Sequence, residues 1–229
     1  NGRGNWEEIT SGNHEAAPTA DADDAGPASL SMDIRDISLT DSQLDYRDAQ
    51  SGQAIKLRDI NLRLGQVNLR AEPFPLSLAV KVDVEQQGAP PLLLDMAMKN
   101  RLAVDSEFNN IGLLDGDLQL AVGKAAPLSI DYEMALKDVK NKLGYNGTFN
   151  LKETSLRNLL AALGTELDTA NREALKKFSA SGAVTGDQQQ VQLSNLNVQL
   201  DKTRFEGALA ITDLATKAVQ LDLKGDSIN

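Results

Sequence analysis

The sequence predicts a mostly β chain: a long, curled antiparallel meander sheet, shaped as a groove or half-barrel, with two short helices near residues 154–177. Three observations predict it. Apolar residues recur with a period of two through much of the chain, turn-forming residues separate the alternating runs, and only one region follows helical spacing.

The alternation is cleanest at Leu76, Leu78, Val80, Val82 and Val84, with Ser77, Ala79, Lys81 and Asp83 between them. Leu92, Leu94, Met96, Met98, Leu102 and Val104 repeat it, with Asn100 as the one interruption. Leu128, Ile130, Tyr132, Met134 and Leu136 do so again, and later Val219, Leu221 and Leu223. Such runs read as half-buried antiparallel strands, because successive side chains of a strand point to opposite faces. Turn signals fall at Gln87-Gly-Ala-Pro-Pro91, Asp115-Gly, Lys140-Asn-Lys142 and Gly186-Asp-Gln-Gln189. Strands joined in sequence by short turns give a meander.

A weak repeat overlays this pattern: Ile34-Arg-Asp-Ile-Ser-Leu39, Leu57-Arg-Asp-Ile-Asn-Leu62, Phe108-Asn-Asn-Ile-Gly-Leu113 and Leu193-Ser-Asn-Leu-Asn-Val198. In each, the Asp or Asn shifts the alternation by one residue, as a β-bulge or tight bend would. Coincidence is the alternative, since strand-rich sequences generate short matches.

Helical spacing appears at Leu156, Leu159, Leu160 and Leu163, with Thr154 or Ser155 placed to cap the start and Gly164 the end. A second short helix is expected over Thr169 to Lys177, burying Leu175 and Phe178, with strands resuming at Ala180. Two such helices would plug an end of the sheet or cover one face. Residues 1–29 differ from the rest. Ala16-Ala-Pro-Thr-Ala-Asp-Ala-Asp-Asp-Ala-Gly-Pro-Ala28 holds nothing large and apolar, so it reads as a flexible linker or the tail of a preceding element. Residues 30–229 then form one β-rich domain, and the chain reads as a fragment of a longer protein whose targeting element lies upstream.

Composition narrows the chemistry. The net charge of −10 would repel a phosphate backbone, so no nucleic-acid partner is expected. Aromatic residues make up only 4% of the chain, so an apolar lining would be aliphatic and suited to acyl chains. There is no cysteine, which excludes disulfides and thiolate sites. The one histidine, His14, falls in the linker, so histidine catalysis and histidine metal clusters are not expected. No nucleophile-elbow motif occurs. Asp21-Ala-Asp-Asp24 lacks the spacing and glycine of a calcium loop. Asp115-Gly-Asp117 reads as a turn between strands, and so does Gly182-Ala-Val-Thr-Gly-Asp187, which lacks the lysine and helix of a phosphate loop. The expectation is a chain without catalytic residues, metal or cofactor. A hydrolase with paired carboxylates ranks well below the binding readings.

Several segments together resemble the AsmA family of bacterial envelope proteins, in the bridge-like lipid-transfer group that includes TamB-like proteins. They are Ile37-Ser-Leu-Thr-Asp-Ser-Gln-Leu-Asp-Tyr-Arg-Asp-Ala-Gln-Ser-Gly52, Ile55-Lys-Leu-Arg-Asp-Ile-Asn-Leu62 and Pro73-Phe-Pro-Leu76. In the second half they are Leu156-Arg-Asn-Leu-Leu-Ala-Ala-Leu-Gly164, Arg172-Glu-Ala-Leu175, Val191-Gln-Leu-Ser-Asn-Leu196 and Leu200-Asp-Lys-Thr-Arg-Phe-Glu-Gly207. The likeness covers roughly residues 30–229 and rests on order and spacing. It implies a periplasmic body of antiparallel strands, an N-terminal inner-membrane anchor absent from this chain, and a part in phospholipid transport and outer-membrane lipid homeostasis. It also implies the alternative of a scaffold assisting outer-membrane protein assembly, with envelope protein partners. It brings no catalytic residues. This segment is expected to be monomeric.

A sheet of about ten strands with one apolar face must cover that face. It closes as a sandwich or barrel, or stays open and is covered by acyl chains. Candidate lining residues are Leu76, Leu78, Val80, Val82, Leu94, Met96, Met98, Leu128, Ile130, Met134, Leu221 and Leu223. For each, plain core is the alternative reading.

Overall fold

The computed structural model describes residues 33–48, 52–86, 88, 91–165, 173–216 and 218–226 of the 229-residue chain. The expected linker, with Trp6, Ile9, His14 and the Asp21–Asp24 cluster, lies outside the described residues. The strands are β1 (Asp33–Asp48), β2 (Gln53–Asn68), β3 (Phe74–Gln86), β4 (Leu92–Val104), β5 (Ile111–Val122) and β6 (Leu128–Lys137). They continue as β7 (Gly144–Thr154), β8 (Phe178–Asp187), β9 (Val191–Leu200), β10 (Thr203–Asp213) and β11 (Ala218–Gly225), with one helix, α1 (Leu156–Ala162), between β7 and β8. All eleven strands form one antiparallel sheet in sequence order, β1 to β11. β1 and β11 lie at opposite edges, so the sheet is an open meander and not a closed barrel. Strands pack against their sequence neighbours, and no described element forms a second layer.

Local backbone chemistry explains where the strands change parity. Asp41, Asp59, Gln66, Asp115 and Asn195 all have left-handed φ between 47° and 54° inside strands. Asp and Asn accept that region more readily than other non-glycine residues. In three cases an asparagine two positions on bonds back to the carbonyl of the left-handed residue. Asn61 Nδ2 donates to Asp59 O (2.9 Å), Asn68 Nδ2 to Gln66 O (3.3 Å) and Asn197 Nδ2 to Asn195 O (3.2 Å). Asn61 Oδ1 also accepts from Asp41 N at 3.2 Å, so one side chain ties the bulges of β1 and β2 together. The expected bulges are therefore present in the copies centred on Asp59 and Asn195. They are absent from those centred on Asp36 and Asn110, where Ser38 and Gly112 stand in place of the asparagine.

Two expected turns are corrected. Asp115-Gly-Asp117 is a bulge inside β5, and Gly182–Asp187 is strand, part of β8. The helical expectation holds for α1. Ser155 Oγ accepts from Asn158 N (3.3 Å), and Gly164 at φ 80° ends the helix, with Thr165 N donating back to Leu160 O (2.8 Å). The second expected helix, Thr169 to Lys177, falls partly on residues 166–172, outside the described residues; its described part is a turn followed by irregular chain. There Leu175 stands at φ 65°, and Phe178 is half-buried at the start of β8.

That turn is held by one carboxylate. Asp201 accepts from the backbone N–H groups of Leu175 (2.6 Å), Lys176 (3.0 Å) and Lys177 (3.0 Å). These bonds, the one from Leu175 foremost, hold its carboxyl below the usual carboxylate range. A pKa lower in the folded than in the unfolded chain means the contribution is complete above the ordinary value and lost as pH falls through the folded one. Asp201→Asn is expected to lose less stability than the parent as pH falls through and below the ordinary carboxylate range in urea titrations, and to exchange the amides of residues 175–177 faster at neutral pH.

The tightest packing lies at one end of the sheet. Val67, Leu69, Phe74 and Val104 are buried together, with Ile34, Leu64, Leu102 and Ile111 packed around them. Leu69 belongs to the β2–β3 connection, which is pinned by Ala71 N donating to Val104 O (3.0 Å). Asn68 beneath it is 6% exposed and uses both ends of its amide, donating to Gln66 O and Glu72 O and accepting from Arg70 N.

Candidate functional site

The register converts eleven separate alternations into continuous rows. Starting from Leu39 in β1, directly paired residues run through Leu62, Leu78, Met98, Leu118 and Ile130. The row continues through Leu151, Ala180, Val198 and Phe205 to Gly225 in β11. No charged or hydrogen-bonding side chain interrupts it. A second row on the same face runs from Phe74 through Leu102, Leu113, Met134, Gly147 and Val184 to Leu193, Leu209 and Leu221.

One residue over from the first row, every position is polar. Ser38, Arg63, Ser77, Lys99, Asp117 and Asp131 lead to Asn150, Ser181, Asn197, Glu206 and Lys224. Acids and bases are interleaved there as a solvated face requires. Arg58 grips Asp83 with two hydrogen bonds of 2.9 Å, and Lys81 meets Asp59 at 2.8 Å and Lys152 meets Asp131 at 2.9 Å. Hydrogen bonding to Lys81 lowers the Asp59 carboxyl and raises the lysine in turn. Exposed pairs of this kind add little stability each. Their effect is to fix which side of the sheet faces water.

All twelve residues singled out from the sequence fall on the apolar face. Leu76, Leu78, Val80 and Val82 in β3 meet Leu94, Met96 and Met98 in β4 directly or one position along. Leu128, Ile130 and Met134 are reached through β5; in β11 Leu221 ends the second row, and Leu223 stands between it and Gly225 on the same face. Val80 is buried at 8% exposure, whereas Leu221 is 59% exposed. Sequence reading missed Leu39, Leu62, Leu118, Leu120, Leu151 and Val198 on this face. For all of these but Leu151 the signal was an apolar spacing of three, as in Leu57–Ile60, Leu113–Gly116 and Leu193–Leu196, with the left-handed residue between; Leu151 ends the plain alternation of Tyr145, Gly147 and Phe149 in β7.

The face is also less purely aliphatic than expected, since Phe74, Tyr132, Tyr145, Phe149 and Phe205 belong to it. Four of these rings lie over a directly paired glycine. A Cβ built on Gly116 would stand 2.5 Å from Tyr132 Cζ, one on Gly186 2.5 Å from Tyr145 Oη, one on Gly182 3.4 Å from Phe149 Cε1, and one on Gly225 3.2 Å from Phe205 Cε1. A ring that covers a glycine lies along the sheet instead of standing away from it, so the face gains apolar area without a ridge.

A buried carboxamide also lies on this face. Asn100 pairs with Leu76, is 6% exposed, and reaches across Gly116 to donate from Nδ2 to Tyr132 Oη at 2.8 Å. Among the described residues no group of three or more His, Asp or Glu side chains stands where it could hold a metal ion, and no helix is long and apolar enough to cross a membrane. No family model, curated protein or solved structure is matched by this chain.

Proposed function

We propose that this chain is a non-enzymatic segment of a periplasmic β-groove that carries phospholipid acyl chains, within a protein anchored in the bacterial inner membrane and serving outer-membrane lipid homeostasis. The observation that carries this reading is the unbroken, charge-free row across all eleven strands, with no second layer over it among the described residues. An apolar face of that extent requires a cover. Sheets of this many strands twist and coil, and a coiled sheet of one layer offers its apolar side as a trough. Acyl chains match the surface, gaining about 0.8 kcal/mol for each methylene buried, and an aliphatic wall lets them slide along it. The resemblance to AsmA proteins supports the compartment and the cargo class.

Mass spectrometry of protein purified without detergent is expected to find co-purified phospholipid. Leu118→Glu, at the centre of the row, is expected to keep the strand signal in circular dichroism and lose most of that lipid. A lipid-free parent protein, or a variant that merely unfolds, would count against the reading.

A second reading is favoured by the edges. Leu39 is 45% exposed and Leu44 56% in β1, and Val219 is 62% in β11, beside backbone groups that no described strand pairs. A client strand added there would make the chain a scaffold for outer-membrane protein assembly. A photocrosslinker at Val219 that yields one defined protein adduct in cells, with no lipid on the purified chain, would favour it.

A further inference from the structure

Two asparagines are equally buried, and they are treated differently. Asn68 has partners at both ends of its amide. Asn100 has one: its Nδ2 donates to Tyr132, while its Oδ1 is buried and meets no donor among the described residues. An unpaired buried acceptor is destabilising, and leucine at this position would complete the apolar alternation of β4. A group kept against that penalty calls for a role. The arrangement around it is built: Gly116 in the intervening strand has no side chain, which lets the carboxamide pass over it, and the Tyr132 ring fills the space above that glycine. With a lone pair of Oη engaged by Asn100, the phenol keeps its own proton to donate, and Oη makes no other hydrogen bond among the described residues.

We propose that Tyr132 is a hydrogen-bond donor to the ester carbonyl of an acyl chain lying on the apolar face, and that Asn100 is the positioning residue that aims it. The proposal rests on the acyl-chain reading above and adds to it one polar station. An esterified chain supplies the required acceptor at the head of its hydrocarbon, which the surrounding aliphatic rows take up.

The test compares a short-chain diacyl phosphatidylcholine with its dialkyl ether counterpart, which lacks only the carbonyls, by calorimetric titration below the micelle threshold. The parent chain is expected to bind the diacyl lipid about three- to tenfold more tightly. Tyr132→Phe keeps the ring over Gly116 and is expected to bring the ratio to about one with the ether lipid's affinity unchanged. Asn100→Leu is expected to do the same without lowering the melting temperature, a combination that a merely structural asparagine would not give. Equal binding of both lipids by the parent, or a preference that survives Tyr132→Phe, overturns this inference alone. Binding of neither lipid overturns the acyl-chain reading and this inference with it.

Discussion

Phe74→Ala is expected to destabilise the chain by about 3–5 kcal/mol. Phe74 is the most buried large side chain described, at 2% exposure, and it is the centre of the cluster with Val67, Leu69 and Val104. In a sheet one layer thick, few positions can be packed from all sides. This one is, because the β2–β3 connection folds Leu69 over the apolar end of its own strands. Removing the ring leaves a cavity that the pinned loop closes poorly, since Ala71 is hydrogen-bonded to Val104 and Asn68 to Glu72. Thermal melting is expected to fall on the order of 10 °C, with Phe74→Leu recovering much of it. A loss under 1 kcal/mol would mean that the loop collapses into the space. For the proposed function the same cluster matters as a stop, because it closes the apolar face at that end of β2 to β5.

Gly147→Val is expected to be comparably damaging for the opposite reason, too many atoms. Gly147 in β7 pairs directly with Met134 in β6. A Cβ at this position would collide with the Glu133 carbonyl oxygen and stand 3.0 Å from both Cα and Sδ of Met134. The obstacle is backbone, so no rotamer change relieves it, and the two strands must part. A cost of about 3 kcal/mol, at the upper end of the usual overpacking range, is expected, read as a lower urea midpoint. The contrast with Gly116 makes the argument sharp. There the obstacle is the movable Tyr132 ring, so Gly116→Ala is expected to be rescued by Tyr132→Leu, whereas Gly147→Val is not rescued by Met134→Ala. Rescue at both sites would show that the β6–β7 spacing yields more easily than its geometry implies.

What could be read from the sequence tracks the regularity of each strand. β3, β4 and β6 carry no left-handed residue within them, so Leu76 to Val84, Leu92 to Val104 and Leu128 to Leu136 announced both the strands and the buried face. β1, β2, β5 and β9 were harder because a left-handed residue inverts the parity midway, and a period-two search reads the result as two unrelated fragments. β8 was misread for another reason. Ala180, Gly182, Val184 and Gly186 offer little hydrophobic signal of their own, because the apolar cover over both glycines comes from Phe149 and Tyr145 on the neighbouring strand. Glycine there signals close approach, whereas in isolation it reads as a turn. The second expected helix was to span Thr169 to Lys177 and bury Leu175 and Phe178. The described stretch around Leu175 is instead a turn that the Asp201 carboxylate, distant in sequence, holds in place. The face itself was legible from the unbulged strands alone, and its continuity across all eleven needed the register.

Because each strand hydrogen-bonds only to the strands before and after it among the described residues, the molecule behaves largely as a one-dimensional chain of coupled units and not as a globule with one central core. Its contacts are local in sequence, a topology associated with rapid folding. Opening should then spread from whichever rim is weaker, leaving distant hairpins intact. Amide protection would grade from β11, exposed at every position, toward β3 to β5, and a denaturation curve followed by a probe in β10 would precede one followed in β3. The same independence means that a whole hairpin can be removed from the middle without reversing the direction of the strands that follow. The length of such a sheet is therefore adjustable in steps of two strands, with the division between its dry and wet sides preserved at each step.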